Sequence, residues 1–330
     1  MGHEQVGFRN DVQSGYNGII AIHSTRLGPA LGGTRLWSYS AGEEAIVDAL
    51  RLSRGMTYKN AVAGLPFGGG KAVIVGDGSA LDREKLFRAH GRFVDGFGGR
   101  YITAEDVGTG PGDMEYVRLE TRHVAGFEDP SPVTARGVFR AIQASARYKW
   151  GSDDLSGKTV AVQGCGHVGS SLIKRLKDAG ARLIITDIDQ EIAGRIAGEA
   201  GAVIAKPEAI YSVKADIFAP CALGGILNDE TIPQLKVEIV AGAANNQLLE
   251  DRHGSALEER NILYAPDYVA NAGGVLDGGI ELLGWDREYM NNRVDGIYDT
   301  LMSVFEIARS EGIPTSKAAD GLAEKRLSLS

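Results

Sequence analysis

The chain has 330 residues, enough for two domains of ordinary size, and its composition, 43% hydrophobic and 24% charged, is that of a globular protein. A net charge of -8 argues against a nucleic-acid backbone or an anionic membrane as main partner, while the apolar runs fall far short of a membrane span and no basic-then-apolar leader opens the chain, so the cytoplasm is the expected compartment. Two cysteines without a C-x-x-C pair and six histidines without an H-x-x-x-H pair leave no disulfide framework and no metal site to expect.

In chain order, "GIIAIHS" reads as a strand and "AGEEAIVDALRLSRGM" as an amphipathic helix. Next comes "GLPFGGGKAVIVGD", three glycines and Lys71 running into an apolar strand. It is not the nucleotide P-loop G-x-x-x-x-G-K-S/T: Leu65 stands where the first glycine belongs, and Ala72 offers no hydroxyl to a metal. "DREKLFRAHGRFVDGF" is a second helix. Two prolines and an acidic pair in "GFEDPSPVTARG" mark a seam before a long helix, roughly 133–149.

Beyond the seam the rhythm becomes a regular strand and helix alternation. "KTVAVQG", "RLIITD", "ADIFAP", "VEIVAG" and "ILYAPD" are apolar runs suited to strands buried on both faces. The expected class is α/β with two domains: an N-terminal α/β substrate domain and a doubly wound parallel-sheet (Rossmann) dinucleotide domain. The expected boundaries are 1–130, 131–310, and a helical tail, 311–330, that packs back onto the first domain.

"TVAVQGCGHVGSSLIKRLKDAGARLIITDID" holds a strand, the turn Gly164-Cys165-Gly166-His167-Val168-Gly169, a helix, and a second strand ending at Asp187. Gly164 suits the tight turn, Gly166 a close pyrophosphate, and Gly169 close packing of helix on strand. The helix N-terminus favours the anion. Asp187 follows at the distance needed to hold a ribose hydroxyl. A 2′-phosphate some 4 Å from that carboxylate would cost about 4 kcal/mol per unit charge at an effective dielectric near 20. The next residues are Ile188 and Asp189, with no arginine, so the expected cofactor is NAD.

"GMTYKNAVAG" with Lys59, "GLPFGGGKAV" with Lys71, and "YITAEDVGTG" with Asp106 resemble the amino-acid dehydrogenase family, which includes glutamate, leucine, valine and phenylalanine dehydrogenases. "LGPALGGTR", "PSPVTA", "APCALGG", "AGAANNQL" and "YAPDYVANAGGV" extend the likeness over nearly the whole chain, most of all to the leucine-specific members, then to the phenylalanine-specific ones. The resemblance implies oxidative deamination of an L-amino acid to a 2-oxo acid and ammonia. By it, Lys59 pairs with the α-carboxylate, Lys71 activates the attacking water, and Asp106 handles protons at the amino nitrogen. A lysine acting as base needs its pKa lowered, which an apolar surrounding and a second ammonium (Lys59) would do. Gly68, Gly69 and Gly70 would let the backbone approach substrate and nicotinamide.

The resemblance places Gly32, Gly33 and Asn246 near the substrate, and Asn245 and Asn271 near the nicotinamide. Thr134, Cys221 and Ala222 fall in cofactor-side segments, although the two cysteines read chiefly as small buried apolar residues. Glutamate-specific members carry a lysine where this chain has Leu31, and a glutamate carboxylate unpaired there would cost several kcal/mol. The implied side-chain pocket is apolar: Leu31, Met56, Ala104, Val275 and Gly278. Ala104 is as in the leucine-preferring members, whereas Gly278 departs from the usual valine or leucine and leaves room for a ring.

An aromatic amino-acid dehydrogenase, for phenylalanine or tryptophan, is therefore the alternative. A non-catalytic NAD sensor would be expected to lack Lys71 or Asp106. A 2-hydroxy-acid dehydrogenase would need a histidine in these motifs. By the resemblance, the chain starts roughly nine residues later than typical leucine dehydrogenases, and its loop before "PSPVTA" is shorter by about seven. A homo-oligomer is expected, with the family's octamer in question.

Overall fold

Period-two burial builds the first sheet. In the computed structural model, which describes residues 2–77 and 82–329, strands β1 (Gln5–Asp11), β2 (Tyr16–Ser24), β3 (Ala30–Trp37), β4 (Gly68–Val75) and β5 (Tyr101–Glu105) lie in the order β1-β2-β4-β3-β5. β2 runs antiparallel to β1 and β4, whereas β3 is parallel to both β4 and β5. Ile19, Ala21 and Val73 pack with Ala45 and Ala49 of helix α1 (Gly42–Ala63). The alternate residues Ile20, Ile22 and Ala72 cluster with Val94 of α2 (Arg83–Asp95) and with Tyr101. Ile74 joins Leu86 and Phe87 of α2 and Met114 of α3 (Pro111–Arg118). Lys71 shares the parity of Val73, so its side chain leaves the sheet on the α1 face.

The glycine run lies inside β4 rather than in a turn before it. A Cβ on Gly69 would fall 2.0 Å from the Thr57 nitrogen of α1, and one on Gly68 would fall 1.9 Å from the Ser24 carbonyl oxygen. The Asn60 side-chain amide donates to the Gly68 carbonyl at 2.6 Å. The sequence reading gives these glycines to substrate and nicotinamide; the groups that press on them here are the end of β2 at Gly68, α1 at Gly69 and the Tyr101 ring at Gly70. With no side chains between them, helix and strand meet backbone to backbone.

α1 starts with Glu43 and Glu44 in its first turn, as its dipole favours, but its last turn carries no basic residue. Arg326 supplies one from the far end of the chain, donating to the Ala61 carbonyl at 3.0 Å and to that of Val62. Tyr58 donates to Glu324 at 2.9 Å. Accordingly, the first of two units comprises Met1–Asp129, Glu281–Gly284 and Ala323–Ser330.

The second unit, Pro130–Ile280 with Trp285–Leu322, is built on β6 (Thr159–Gln163), β7 (Arg182–Thr186), β8 (Val203–Ile204), β9 (Ile217–Pro220), β10 (Ile239–Val240) and β11 (Leu263–Tyr264). The order is β11-β10-β9-β6-β7-β8, with every pair parallel. Chain order reverses between β6 and β9, the switch point at which doubly wound sheets bind ligands. Its helices are α4 (Ser131–Trp150), α5 (His167–Asp178), α6 (Gln190–Ala200), α7 (Arg252–Glu259), α8 (Asp267–Ala270), α9 (Gly273–Leu283), α10 (Arg287–Asp295), α11 (Ile297–Glu311) and α12 (Thr315–Ser328), the ends of α9 and α12 falling in the first unit. The two-domain α/β class read from the sequence is the one observed. Among the described residues no helix is long and apolar enough to cross a membrane, and no group of three His, Cys, Asp or Glu side chains could hold a metal ion.

Candidate active site

Lys71 and Asp106 meet in the first unit. Lys71 projects from β4, only 4% exposed, and its Nζ lies 2.8 Å from Oδ2 of Asp106, the residue that follows β5. Arg35 of β3 reaches the same oxygen through Nε at 3.1 Å, and its Nη1 meets Oδ2 of Asp48, on α1, at 2.9 Å. Tyr39, on the β3–α1 link, donates to that Asp48 oxygen at 2.5 Å. The Asp106 backbone is fixed as well: its N–H donates to the Thr109 hydroxyl at 2.9 Å, and that hydroxyl donates to the Thr34 carbonyl at 2.8 Å.

Burial is the largest influence on each charge. It pushes the Lys71 ammonium below its usual range; Asp106 opposes this, Arg35 reinforces it, and the net direction is down. Burial by itself would raise the Asp106 carboxyl, but Lys71 and Arg35 hold it down to about 2. Arg35 is thus a cation that acts on Lys71, one the sequence reading does not use; that reading gives the role to Lys59. Lys59 lies on α1, half-buried.

The other substrate-side candidates of this unit lie close by in the sheet. Leu31, 5% exposed, pairs with Gly69 and Ile102; Gly32 pairs with Thr103 and Gly33 with Ala104. Met56 is half-buried on α1. On the opposite face of β3, Thr34 bonds at 2.6 Å to Thr103 and at 2.8 Å to Nε2 of the fully buried His90, whose Nδ1 meets the Tyr16 hydroxyl at 2.9 Å. Burial lowers the His90 pKa to about 3, so the ring is neutral.

In the second unit the turn between β6 and α5 has Gly164 at φ 100°, in the left-handed region, and a Cβ on Gly169 would fall 2.0 Å from the Gly164 carbonyl oxygen. Beside Gly166, the N-cap of α5, a Cβ would meet nothing within 4 Å; His167 and Val168 follow in the first turn. Asp187 closes the turn from β7, accepting from the Cys165 N–H at 2.6 Å and from the Asp189 N–H at 2.9 Å, and the neighbouring Ile188 is 91% exposed. Burial raises the Cys165 thiol to about 11 and the Cys221 thiol to about 12, which makes both inert. The Cys221 N–H donates to the Gln163 carbonyl at 2.7 Å, and the exposed Ala222 follows it.

Asn271 donates to Asn245 Oδ1 at 2.8 Å and to the Ala243 carbonyl at 3.0 Å. Asn246 is exposed, with a left-handed φ of 50°. Thr134, in the first turn of α4, donates to the Pro130 carbonyl at 3.0 Å. Val275 and Gly278 share a face of α9, both half-exposed, and a Cβ on Gly278 would meet nothing within 4 Å.

Sequence reasoning passed over Arg35, Asp48 and Tyr39, although "LGPALGGTR" ends on that arginine. It also passed over Glu105, beside Asp106 in "TAEDVG". Burial, then the carboxylates of Asp129, Asp106, Asp113 and Glu281, raise the Glu105 pKa to about 7.

Residues 3–123 match the domain described as "Glu/Leu/Phe/Val dehydrogenase, dimerisation domain", and residues 126–201 and 185–328 match "Glutamate/Leucine/Phenylalanine/Valine dehydrogenase". The chain is 56% identical over 334 residues to the leucine dehydrogenase of Thermoactinomyces intermedius, covering 99% of this chain and 91% of that protein. It is 48% identical to the L-tryptophan dehydrogenase of Nostoc punctiforme, covering 100% of this chain and 95% of that one. A crystal structure of L-tryptophan dehydrogenase from Nostoc punctiforme superimposes with a TM-score of 0.85, covering 99% of this chain and 96% of that one. Matched in both segments and more than half identical to such a relative along nearly its full length, the chain belongs to the Glu/Leu/Phe/Val dehydrogenase family of amino-acid dehydrogenases.

Proposed function

We propose that the protein catalyses the NAD-dependent oxidative deamination of an apolar L-amino acid, branched-chain substrates such as leucine foremost, to the 2-oxo acid and ammonia, and the reverse amination. The carrying observation is the buried contact of Lys71 and Asp106 at 2.8 Å. In this reading the first unit is the substrate and oligomerisation domain, and the second binds the dinucleotide. A homo-oligomer accords with the dimerisation domain matched at residues 3–123.

The residues fit a nicotinamide dinucleotide. The space beside Gly166 at a helix N-terminus suits a pyrophosphate. Oδ1 of the buried Asn271 has no hydrogen-bond partner among the described residues, which leaves it an acceptor for an amide. Asp187 would hold the ribose and repel a 2′-phosphate, which favours NAD over NADP. Bound there, the nicotinamide supplies the acceptor for the hydride of the substrate α-carbon.

The protein's own work is done with protons and charge. Lys59 pairs its ammonium with the α-carboxylate. Asp106, ionised at any working pH, accepts hydrogen bonds from the substrate ammonium and orients it while its proton passes through the carboxylate to water. Once the carbon–nitrogen double bond has formed, Lys71 in its neutral form takes a proton from water as the oxygen attacks that carbon. The Lys71 ammonium returns that proton to the nitrogen, and as the carbon–nitrogen bond breaks the hydroxyl gives its own proton back to Lys71, leaving the 2-oxo acid and ammonia. The lowered pKa of Lys71 makes its neutral form easier to reach than that of a solvated lysine. Leu31, buried on β3, supports apolar over acidic side chains.

The open space at Gly278 and the 48% identity to an L-tryptophan dehydrogenase favour a second reading in which aromatic substrates are also taken. Both readings are tested by following NADH formation with a panel of L-amino acids at alkaline pH, and NADPH formation beside it. Turnover of apolar amino acids with NAD is expected. No NADH from any amino acid, with turnover of a 2-hydroxy acid, would refute the proposal.

A further inference from the structure

Arg35 does not end at Asp106. Its Nε lies 3.1 Å from Asp106 Oδ2, its Nη1 lies 2.9 Å from Asp48 Oδ2, and Tyr39 donates to that same Asp48 oxygen at 2.5 Å. A guanidinium is planar, so fixing one edge on Asp48 aims the other, a geometry an ammonium cannot reproduce. Both cations found at Asp106, Lys71 and Arg35, bind the one oxygen Oδ2. That arrangement turns the carboxylate so that Oδ1 is the oxygen offered to a substrate nitrogen.

We propose that Arg35 is a positioning residue for the deamination: braced by Asp48 and Tyr39, it fixes the orientation of the Asp106 carboxylate and places a second positive charge beside the Lys71 ammonium. This rests on the function proposed above. Charged and titratable groups approach the pair from β3 (Arg35), α1 (Asp48), the β3–α1 link (Tyr39) and β5 (Tyr101 and Glu105); β2 faces Lys71 with Ala21, and its His23 bonds to Thr57 of α1. Of these, Arg35 weakens the hold of Lys71 on its proton, while Asp106 and Asp48 strengthen it.

The test is the pH profile of kcat/KM for leucine oxidation in wild type, Arg35→Met, Arg35→Lys and Asp48→Asn, together with kcat, KM and NAD affinity. In Arg35→Met the rising alkaline limb should move up by about half a unit to two units, as loss of one nearby charge requires. Its kcat should fall about tenfold or more, with NAD binding unchanged. Arg35→Lys should return the limb towards wild type without restoring kcat, since charge is kept and the fork is lost. Asp48→Asn, which removes a negative charge from the same neighbourhood, should move the limb down, and it decides the matter if Arg35→Met does not fold. A folded Arg35→Met with an unmoved limb, or an unmoved limb in Asp48→Asn, would overturn the inference while an active wild type leaves the function standing. A wild type inactive on every amino acid would overturn both.

Discussion

Gly278→Val is the substitution with the clearest opposed outcomes. Gly278 lies within α9, and a Cβ there would meet nothing within 4 Å, so the first carbon of a valine side chain has open space. Removing a glycine from a helix interior gains up to about 1 kcal/mol, of which the branched side chain gives back roughly half, leaving stability equal or slightly higher. The added methyl groups must then occupy the open space on the face shared with Val275. If that space receives the substrate side chain, a ring loses room while leucine keeps its contacts. A pocket change of this size is worth about 1–3 kcal/mol, or about 10- to 200-fold in relative kcat/KM for leucine over phenylalanine. The assay is initial-rate NADH formation with leucine, valine, phenylalanine and tryptophan, with a thermal melt of each protein. The neighbouring glycine is the control. A Cβ on Gly279 would fall 2.3 Å from the Trp285 ring, so Gly279→Val should destabilise by about 1–3 kcal/mol through overpacking. Equal losses for leucine and phenylalanine in a stable Gly278→Val protein would remove Gly278 from the specificity pocket.

Lys71→Ala should abolish turnover, yet leave NAD affinity within about twofold by fluorescence titration, since the lysine lies in the first unit and the dinucleotide turn in the second; an active variant would remove Lys71 from the mechanism. Asp187→Ser should narrow the preference for NAD over NADP by relieving charge repulsion. It should also weaken NAD binding, because the Cys165 and Asp189 N–H groups lose a carboxylate acceptor. Equal use of both cofactors by the wild type would refute that reading of Asp187. His90 stays neutral in the fold down to about pH 3, whereas in the unfolded chain it takes up a proton near 6.5. Its contribution is therefore fully present above about 6.5 and is lost towards pH 3, by up to ~1.4 kcal/mol per pH unit. Urea unfolding between pH 7 and pH 4 should show a shallower decline for His90→Gln than for wild type; parallel declines would refute it.

Five strands of the second sheet were legible because they are continuous apolar runs, and two glycines of its turn answer to a steric need; the two-residue, exposed β8 was not read. Gly164 and Gly169 bear that out in a φ of 100° and a 2.0 Å approach. In the first sheet the strands left unread are those whose composition hides them. β3, "ALGGTRLW", has two glycines at its centre, β1, "QVGFRND", is a polar edge, and β5 is five residues long. The Lys71–Asp106 contact came from motif likeness, not from spacing, because it joins residues far apart in sequence. Arg35 stayed hidden for the same reason: its partners are 13 and 71 positions away, and only the packing of helix α1 on the sheet and the pairing of β3 with β5 bring them together. The glycine run was assigned to a ligand because a sequence does not say which backbone will lie against it. Here β2 lies against Gly68 and helix α1 against Gly69.

The capping of α1 by Arg326 sets a timetable for synthesis. Residue 63, where the helix ends, leaves the ribosome 263 positions before Arg326 does. At translation rates of roughly 5–20 residues per second, that interval is about 13 to 53 seconds. Throughout it the C-terminal carbonyls of α1 lack their cation, and Tyr58 lacks Glu324. The first unit is therefore completed only when its returning segment, Ala323–Ser330, has been made, and until then the helix bearing Lys59 ends without that cation.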